Sequence, residues 1–145
     1  MPVDTLKLSE FLPYRLSVLS NRISRSIADS YEERFQISLP EWRVMAVLGE
    51  EPGLSAGQVA DRTAMDKVAV SRAVNRLIDS GRIKRQFADD DRRRSVLALS
   101  ESGQKTYFDV IPIALGHESK LLEQLSDSEK TQLDALLTKL ASCRL

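Results

Sequence analysis

Five polar side chains recur at helical spacing in the segment DKVAVSRAVNRLIDSG, residues 66–81, and their types suit contact with DNA. They are Lys67, Ser71, Arg72, Asn75 and Arg76. Arginine can donate paired hydrogen bonds to guanine, asparagine can pair with adenine, and serine can bond a base or a phosphate. A lysine near a helix start can reach a phosphate, and the helix N-terminus itself favours anions. The alternative is that these side chains merely solvate an amphipathic helix.

The apolar residues of the same segment predict how the polar face is positioned. They share the opposite side of the helix and would pack on a preceding short helix through Val59 and Ala60. The residues of this apolar side are Val70, Val74, Leu77 and Ile78. Two helices joined by a tight turn at residues 64–65 form a helix-turn-helix.

Capping residues in the sequence predict where several helices begin and end. Serine at a helix start with Glu or Gln three residues later forms a capping box. The sequence contains three such boxes, Ser38–Glu41, Ser55–Gln58 and Ser126–Glu129. Asp66 suits an N-cap and Gly81 the position just beyond a helix end. The middle box predicts a helix to about residue 63, and the last box begins a C-terminal helix.

After Gly81 the spacing of the apolar residues changes from helical to alternating. This change predicts an antiparallel hairpin, which we call the wing. Residues 83–87 and 95–99 alternate as strands around the tip ADDDRRR, and we expect Phe87 and Val96 to occupy inward or packing positions. Aspartates 89–91 suit a turn, because their side chains bond nearby backbone amides, and at least one should pair with an arginine. A narrow minor groove attracts inserted arginine. The candidates for that contact are Arg92, Arg93 and Arg94.

The charge distribution supports a polyanion-binding surface in the middle of the chain. The net charge is zero overall, but residues 66–100 carry nine basic and five acidic side chains. The segments before and after each carry two more acidic than basic groups. A central basic block of this kind indicates a local nucleic-acid-binding face, or else an ordinary solvated surface.

Long amphipathic helices flank the central block. Apolar residues at spacings of three and four predict a helix over residues 11–36, with Pro13 in its first turn. Its length suggests that it also packs against another chain. A fifth helix should run from Ser100 to about residue 125, interrupted at Pro112 and Gly116 and kinked near the proline. The last helix has an apolar side formed by Leu133, Leu136, Leu137 and Leu140.

The stretch DDRRRSVLALSESG, residues 90–103, resembles the wing signature of the MarR (multiple antibiotic resistance regulator) family. The order of elements is similar along nearly the whole chain. The resemblance implies a mainly α fold with a small β-hairpin wing, and a cytoplasmic homodimer that represses genes at a pseudo-palindromic operator. Residues 1–36 and 100–145 would form the helical dimerisation domain, and residues 37–99 the winged helix-turn-helix DNA-binding domain. Arg94 departs from the small residue often found there, and Pro112 makes the fifth helix less regular.

A second resemblance concerns a small-molecule effector. LPYRLSVLSNRIS (12–24) and PEWRVMAVL (40–48) are similar to proteobacterial MarR members that control aromatic-acid breakdown, including that of hydroxycinnamate-type compounds. The resemblance implies a pocket between the dimer helices and the DNA-binding lobe for an anionic aromatic acid or its coenzyme A thioester. Residues that could line it are Arg15, Arg22, Trp42 and Met45. Core packing is the favoured alternative for Trp42 and Met45, and solvent or an interface for the arginines.

Other functional classes receive little support from the sequence. The lone histidine, His117, lacks a second ligand at metal spacing, and we expect no metal, cofactor or catalytic set. No apolar run approaches the roughly 20 residues that cross a bilayer, and the N-terminal segment does not resemble a secretory signal. The single cysteine, Cys143, fits a reducing cytoplasm or a redox-sensing regulator. An architectural DNA binder without effector and a helical interaction module remain alternatives.

Overall fold

The computed structural model describes residues 5–88 and 91–145, and the side chains of all of these except residues 88 and 91–94. A short 3₁₀ helix, Leu8–Glu10, precedes the main elements. In chain order these are α1 (Leu12–Phe35), α2 (Leu39–Glu50), α3 (Ala56–Thr63), α4 (Lys67–Asp79), β1 (Ile83–Ala88), β2 (Asp91–Leu99), α5 (Glu101–Leu122) and α6 (Asp127–Ala141). The mainly α fold with a β-hairpin wing is therefore confirmed.

The predicted helix boundaries agree with the caps. All three capping boxes form, at Ser38, Ser55 and Ser126, each with reciprocal bonds between the serine and the residue three positions later. The Asp66 carboxylate accepts the Ala69 N–H at 2.8 Å and so begins α4. Gly81 follows α4 with φ +77°, a left-handed conformation that glycine adopts without steric cost.

A common core joins the helix-turn-helix to the flanking helices. α4 contributes four buried residues, Val70, Ala73, Val74 and Leu77. They pack with buried residues of the other elements, among them Met45 and Leu48 of α2, Val59 of α3, Leu97 of β2 and Val110 of α5. Because Ala28 and Tyr31 of α1 and Val110 of α5 also belong to it, the helix-turn-helix and the long flanking helices share one apolar interior.

The wing is longer and more exposed than the alternation predicted. β2 begins at Asp91 rather than at residue 95. Cross-strand partners share one face of the hairpin, and Ile83–Leu99 and Phe87–Ser95 are two such pairs. Ile83 and Leu99 are buried, but Phe87 is 63% exposed. The prediction of an inward Phe87 is wrong, because the hairpin extends past the core before reaching it. Val96 is half-buried. Asp89 and Asp90 lie outside the described residues.

Helix α5 is continuous, in contrast to the predicted interruption. It runs from Glu101 to Leu122 through both Pro112 and Gly116. Proline removes one helical hydrogen bond. The remaining hydrogen bonds of the adjacent turns are enough to continue the helix past Pro112. At the helix start, Gly103 lies against the backbone carbonyl of Arg82, and a Cβ there would overlap that oxygen. The start of α5 is thus packed tightly against the start of the wing.

The last helix stands apart from the core. Every residue of α6 is exposed except Lys130, which is half-buried. Its apolar side, formed by Leu133, Leu136, Leu137 and Leu140, faces solvent together with large apolar residues of α1 and α5. Those of α1 include Leu12, Leu16 and Leu19, and those of α5 include Leu115 and Leu121.

Candidate nucleic-acid interface

A tight turn between α3 and α4 positions the candidate interface. Ala64 ends α3 with φ +55°, in the left-handed region, and Asp66 then caps α4 two residues later. The Thr63 hydroxyl donates to the Val59 carbonyl oxygen at 2.9 Å, which stabilises the last turn of α3. The two helices are therefore held at a fixed angle by local bonds and by the packing of Val59 on α4.

The exposed side of α4, which we call the recognition face, carries every α4 residue predicted for DNA contact. Lys67, Ser71, Arg72, Asn75 and Arg76 are all exposed, while the opposite side of the helix is buried. The side chains of the recognition face are thus accessible to a ligand. Whether they contact DNA bases or phosphates remains a prediction.

The sequence reasoning missed one member of the recognition face. Val68 is 60% exposed and lies among the polar residues, at the second position of α4. At 100° per residue, the buried stripe of α4 centres on the side opposite to Val68. The helical spacing of the buried residues therefore predicts that Val68 is exposed. Because valine is apolar, its residue type instead suggests a core position.

A shallow cleft of about 210 Å³ separates α4 from the start of α2. Arg72, Ala73 and Arg76 border it on one side, and Ser38 and Pro40 on the other. The two arginines therefore lie beside the N-terminus of α2. Helix N-termini and guanidinium groups both attract anions, so this side of α4 suits a phosphate backbone.

The base of the wing is fixed by backbone hydrogen bonds to the loop before α3. The Leu97 N–H donates to the Leu54 carbonyl oxygen at 2.8 Å, and the Gly53 N–H donates to the Leu97 carbonyl oxygen at 2.9 Å. The backbone of Arg92, Arg93 and Arg94 belongs to β2. Their side chains lie outside the described residues, as do the predicted aspartate–arginine pairs, so the minor-groove contact stays a prediction.

Comparison with known proteins identifies the family. A model of the MarR family matches residues 35–94, from the end of α1 into β2. The HTH-type transcriptional regulator BilQ of Clostridium symbiosum (strain WAL-14163) is 31% identical over 108 residues, which cover 74% of this chain and 75% of BilQ. This chain belongs to the MarR family. The resemblance that the wing signature indicated is confirmed. As a member of this family, the chain is a DNA-binding transcriptional regulator.

Solved MarR-family structures share the architecture over most of this chain. The MarR/EmrR family transcriptional regulator from Acinetobacter sp. ADP1 is 30% identical, with a TM-score of 0.84 over 94% of this chain and 96% of that one. The chain in the S. aureus MepR–DNA complex is 27% identical, with a TM-score of 0.79 over 91% of this chain and 97% of that one. The MarR winged-helix fold therefore accounts for the whole arrangement of elements.

The four residues predicted for effector binding in this MarR-family chain do not surround one cavity. Met45 is completely buried in the core. Trp42 is half-buried, its ring between those of Tyr31 and Tyr107 at centroid distances of 5.8 and 5.9 Å. Arg15 and Arg22 are exposed on α1 and border a shallow cleft along that helix. Core packing describes the surroundings of Met45 and Trp42.

A different cleft brings three basic side chains together between α1 and α5. It has a volume of about 550 Å³, and Arg22, His117 and Lys120 border it with Ser26 and Gln124. Its apolar lining consists of Leu19, Ile23 and Leu121. His117 is held against α1, with its Nε2 2.7 Å from the Ser30 hydroxyl and its Nδ1 3.4 Å from that of Ser26. His117 thus joins α5 to α1 within one chain.

Neither a metal-binding cluster nor a membrane-spanning helix occurs among residues 5–88 and 91–145. No group of three or more histidine, cysteine or acidic side chains there could hold a metal ion. None of the helices in this part of the chain combines the length and the apolar character needed to span a membrane. Cys143 is exposed just beyond the end of α6, and its thiol lies 3.5 Å from the Lys139 carbonyl oxygen.

Proposed function

We propose that this MarR-family regulator is a homodimeric repressor that binds a pseudo-palindromic operator and is released by an anionic aromatic effector. The recognition face carries the proposal, because it exposes arginine, asparagine, serine and lysine on a helix whose other side is buried. Its output would be the occupancy of DNA in the cytoplasm, without a catalysed reaction.

The solvent-facing leucines of α6 support the homodimer. A lone helix of 15 residues is marginal in water, and α6 gains little from the core of its own chain. Burying the Leu136 side chain, now 60% exposed, would favour association by about 1.5–3 kcal/mol. A second copy would present the same apolar surface and so form an isologous interface.

The homodimer is tested by light scattering on the purified chain and two variants. Leu136→Glu places a charge on the apolar side of α6 and should shift the protein towards monomer. Thr138→Glu places the same charge on the exposed opposite side and should leave the mass unchanged. A wild-type protein that is monomeric at micromolar concentration would contradict the proposal.

Both α4 and the wing would contact DNA, α4 in the major groove and the wing in the adjacent minor groove. Ser71, Arg72 and Asn75 would lie in the major groove, with Lys67 and Arg76 at phosphates. Arg92 or Arg93 would enter the adjacent minor groove, and Arg94 would contact a phosphate. A dimer would place its two copies of α4 about 34 Å apart, one helical turn of DNA. The MepR–DNA complex shows that a structural relative binds DNA.

The cleft between α1 and α5 is the best-supported effector site. Arg22 and Lys120 supply positive charge beside an apolar lining, which suits an aromatic ring with a carboxylate or a thioester with coenzyme A phosphates. Arg15 would extend the basic surface along α1, while Trp42 and Met45 would contribute only through core packing. A ligand here would shift the separation of the two copies of α4 by its differential affinity for one dimer geometry.

A gel-shift titration tests both halves of the function. DNA from upstream of the gene should be retarded, and phenolic acids or their coenzyme A thioesters should release it. Arg22→Gln should raise the effector concentration needed for release without weakening DNA binding. Retardation that no such compound reverses would leave a repressor or an architectural protein, and oxidant-dependent release lost in Cys143→Ser would point to redox control.

A salt series separates an operator-specific regulator from an architectural DNA binder. The logarithm of affinity should fall with the logarithm of salt concentration for both operator and random DNA, because both lose phosphate contacts. A specific regulator keeps a large affinity ratio between them, typically 10³ or more. An affinity ratio near one at every salt concentration would favour the architectural alternative.

A further inference from the structure

Val68 is an apolar side chain in the middle of a polar surface. It is 60% exposed, whereas the other valines of α4, Val70 and Val74, are each 1% exposed. Lys67 precedes it, and Ser71 and Arg72 follow one turn later on the same side of the helix. Valine is a weaker helix former than alanine, because its branched side chain loses rotamer freedom. Folding therefore gives no reason for valine at this position.

The chemistry of the major groove supplies such a reason. Among the groups that base pairs expose there, the 5-methyl of thymine is apolar, and small apolar side chains contact it. The residues that reach base edges in a helix-turn-helix lie near the N-terminus of the second helix. Val68 occupies the second position of α4, next to residues suited to phosphate and guanine.

We propose that Val68 reads the 5-methyl group of a thymine in each operator half-site. This inference rests on the proposed placement of α4 in the major groove. The valine methyl groups would remove the thymine methyl from water, while Arg72, one turn along, would take a guanine nearby. Specificity at the thymine position would then come from an apolar contact, without a hydrogen bond.

Replacing thymine by deoxyuracil tests the contact, since it removes the methyl group and keeps base pairing. The probe is a duplex bearing a site that the wild-type protein selects from random sequence, with each thymine replaced in turn. For wild type, deoxyuracil at one position per half-site should weaken binding roughly fourfold for each methyl group lost from the contact. Replacements in the flanking DNA should have no effect.

Variants at position 68 complete a double-mutant cycle. Val68→Ala should weaken binding to the thymine duplex by a similar factor and should be insensitive to deoxyuracil at that position. Val68→Thr keeps one methyl group and should retain part of the discrimination. Circular dichroism should show an intact helix content in both, because the side chain lies outside the core.

The possible outcomes distinguish a failure of the Val68–thymine contact from a failure of the proposed placement of α4 in the major groove. Specific binding by wild type that no deoxyuracil changes, or Val68→Ala that stays as sensitive as wild type, overturns the role of Val68 alone. Failure of wild type to select any site overturns the proposed placement of α4, and the inference with it. A matching loss from both changes, with no further loss on combining them, supports the contact.

Discussion

The Arg82 guanidinium donates a hydrogen bond to the Phe35 carbonyl oxygen at the end of α1, with 2.5 Å between Nη2 and O. The backbone of Arg82 also accepts a bond from the Ser100 N–H at 2.9 Å, at the start of α5. Helix C-termini carry partial negative charge, which a guanidinium complements. One residue at the base of the wing thus connects it to both flanking helices.

Replacing Arg82 should weaken this connection. Arg82→Met keeps the aliphatic stem but leaves the Phe35 carbonyl oxygen without its cationic donor. A hydrogen bond to a charged group contributes about 1.5–3 kcal/mol, so we expect the free energy of unfolding to fall by about that much. Urea denaturation measures this change, with Arg85→Met as the matched control, because Arg85 is exposed on β1, three residues further along the chain. Equal effects from both variants would contradict a specific role for Arg82.

Two glycines of α5 should respond oppositely to alanine. A Cβ on Gly103 would overlap the Arg82 carbonyl oxygen, whereas a Cβ on Gly116 would meet nothing within 4 Å. Gly103→Ala should destabilise by about 1–3 kcal/mol, the usual cost of overpacking. Gly116→Ala should stabilise by up to about 1 kcal/mol, since alanine is the better helix former. Thermal unfolding of both variants would show whether their melting temperatures move in opposite directions.

Stability should decrease at high pH because of Tyr31. Burial, and secondarily the Glu32 carboxylate, raises the pKa of Tyr31 to about 12 from 10. The unfolded chain loses this proton first, so the stabilising contribution is complete below pH 10 and is lost as the pH rises towards 12. Urea midpoints between pH 9 and 12 measure the decrease.

Tyr31→Phe should remove that part of the alkaline dependence. The Tyr31 hydroxyl is buried and has no hydrogen-bond partner among residues 5–88 and 91–145. Deleting an unsatisfied buried hydroxyl avoids a desolvation cost of about 1–3 kcal/mol, so the variant should be at least as stable as wild type at pH 7. A lower stability would indicate that the hydroxyl is bonded in solution.

Variants in α4 and in the wing should affect DNA binding in different ways. Arg72→Ala should relax sequence preference as well as affinity, and an equal loss on random DNA would assign Arg72 to a phosphate. Arg93→Ala should weaken binding by about 1–3 kcal/mol, the scale of one groove contact. Fluorescence anisotropy at fixed salt measures both, and unchanged affinity for Arg92→Ala as well as Arg93→Ala would exclude the minor-groove contact.

Local signals explain what could be predicted from the sequence. The capping serines at 38, 55 and 126 bond residues three positions away, so their motifs are complete within four letters. The buried stripe of α4 likewise follows from the helical period. The outward position of Ser71, Arg72, Asn75 and Arg76 follows from the same period.

Contacts between distant segments explain what could not be predicted. Arg82 and Phe35 are 47 residues apart, and no local pattern pairs them. Phe87 lies in phase with buried Ile83, yet its exposure depends on how far the hairpin extends beyond the core. The basic cleft required His117 and Lys120 of α5 to be set opposite Arg22 of α1. Such pairings depend on the tertiary arrangement of the helices.

Trp42 is the single tryptophan of the chain, and its ring lies between Tyr31 of α1 and Tyr107 of α5. All tryptophan emission therefore originates where α2 meets both of the long flanking helices. Tyrosine excitation at these separations passes readily to the indole, so intensity and wavelength depend on the spacing of three helices. The protein thus contains an intrinsic optical reporter, which can follow helix movement in solution without any attached dye.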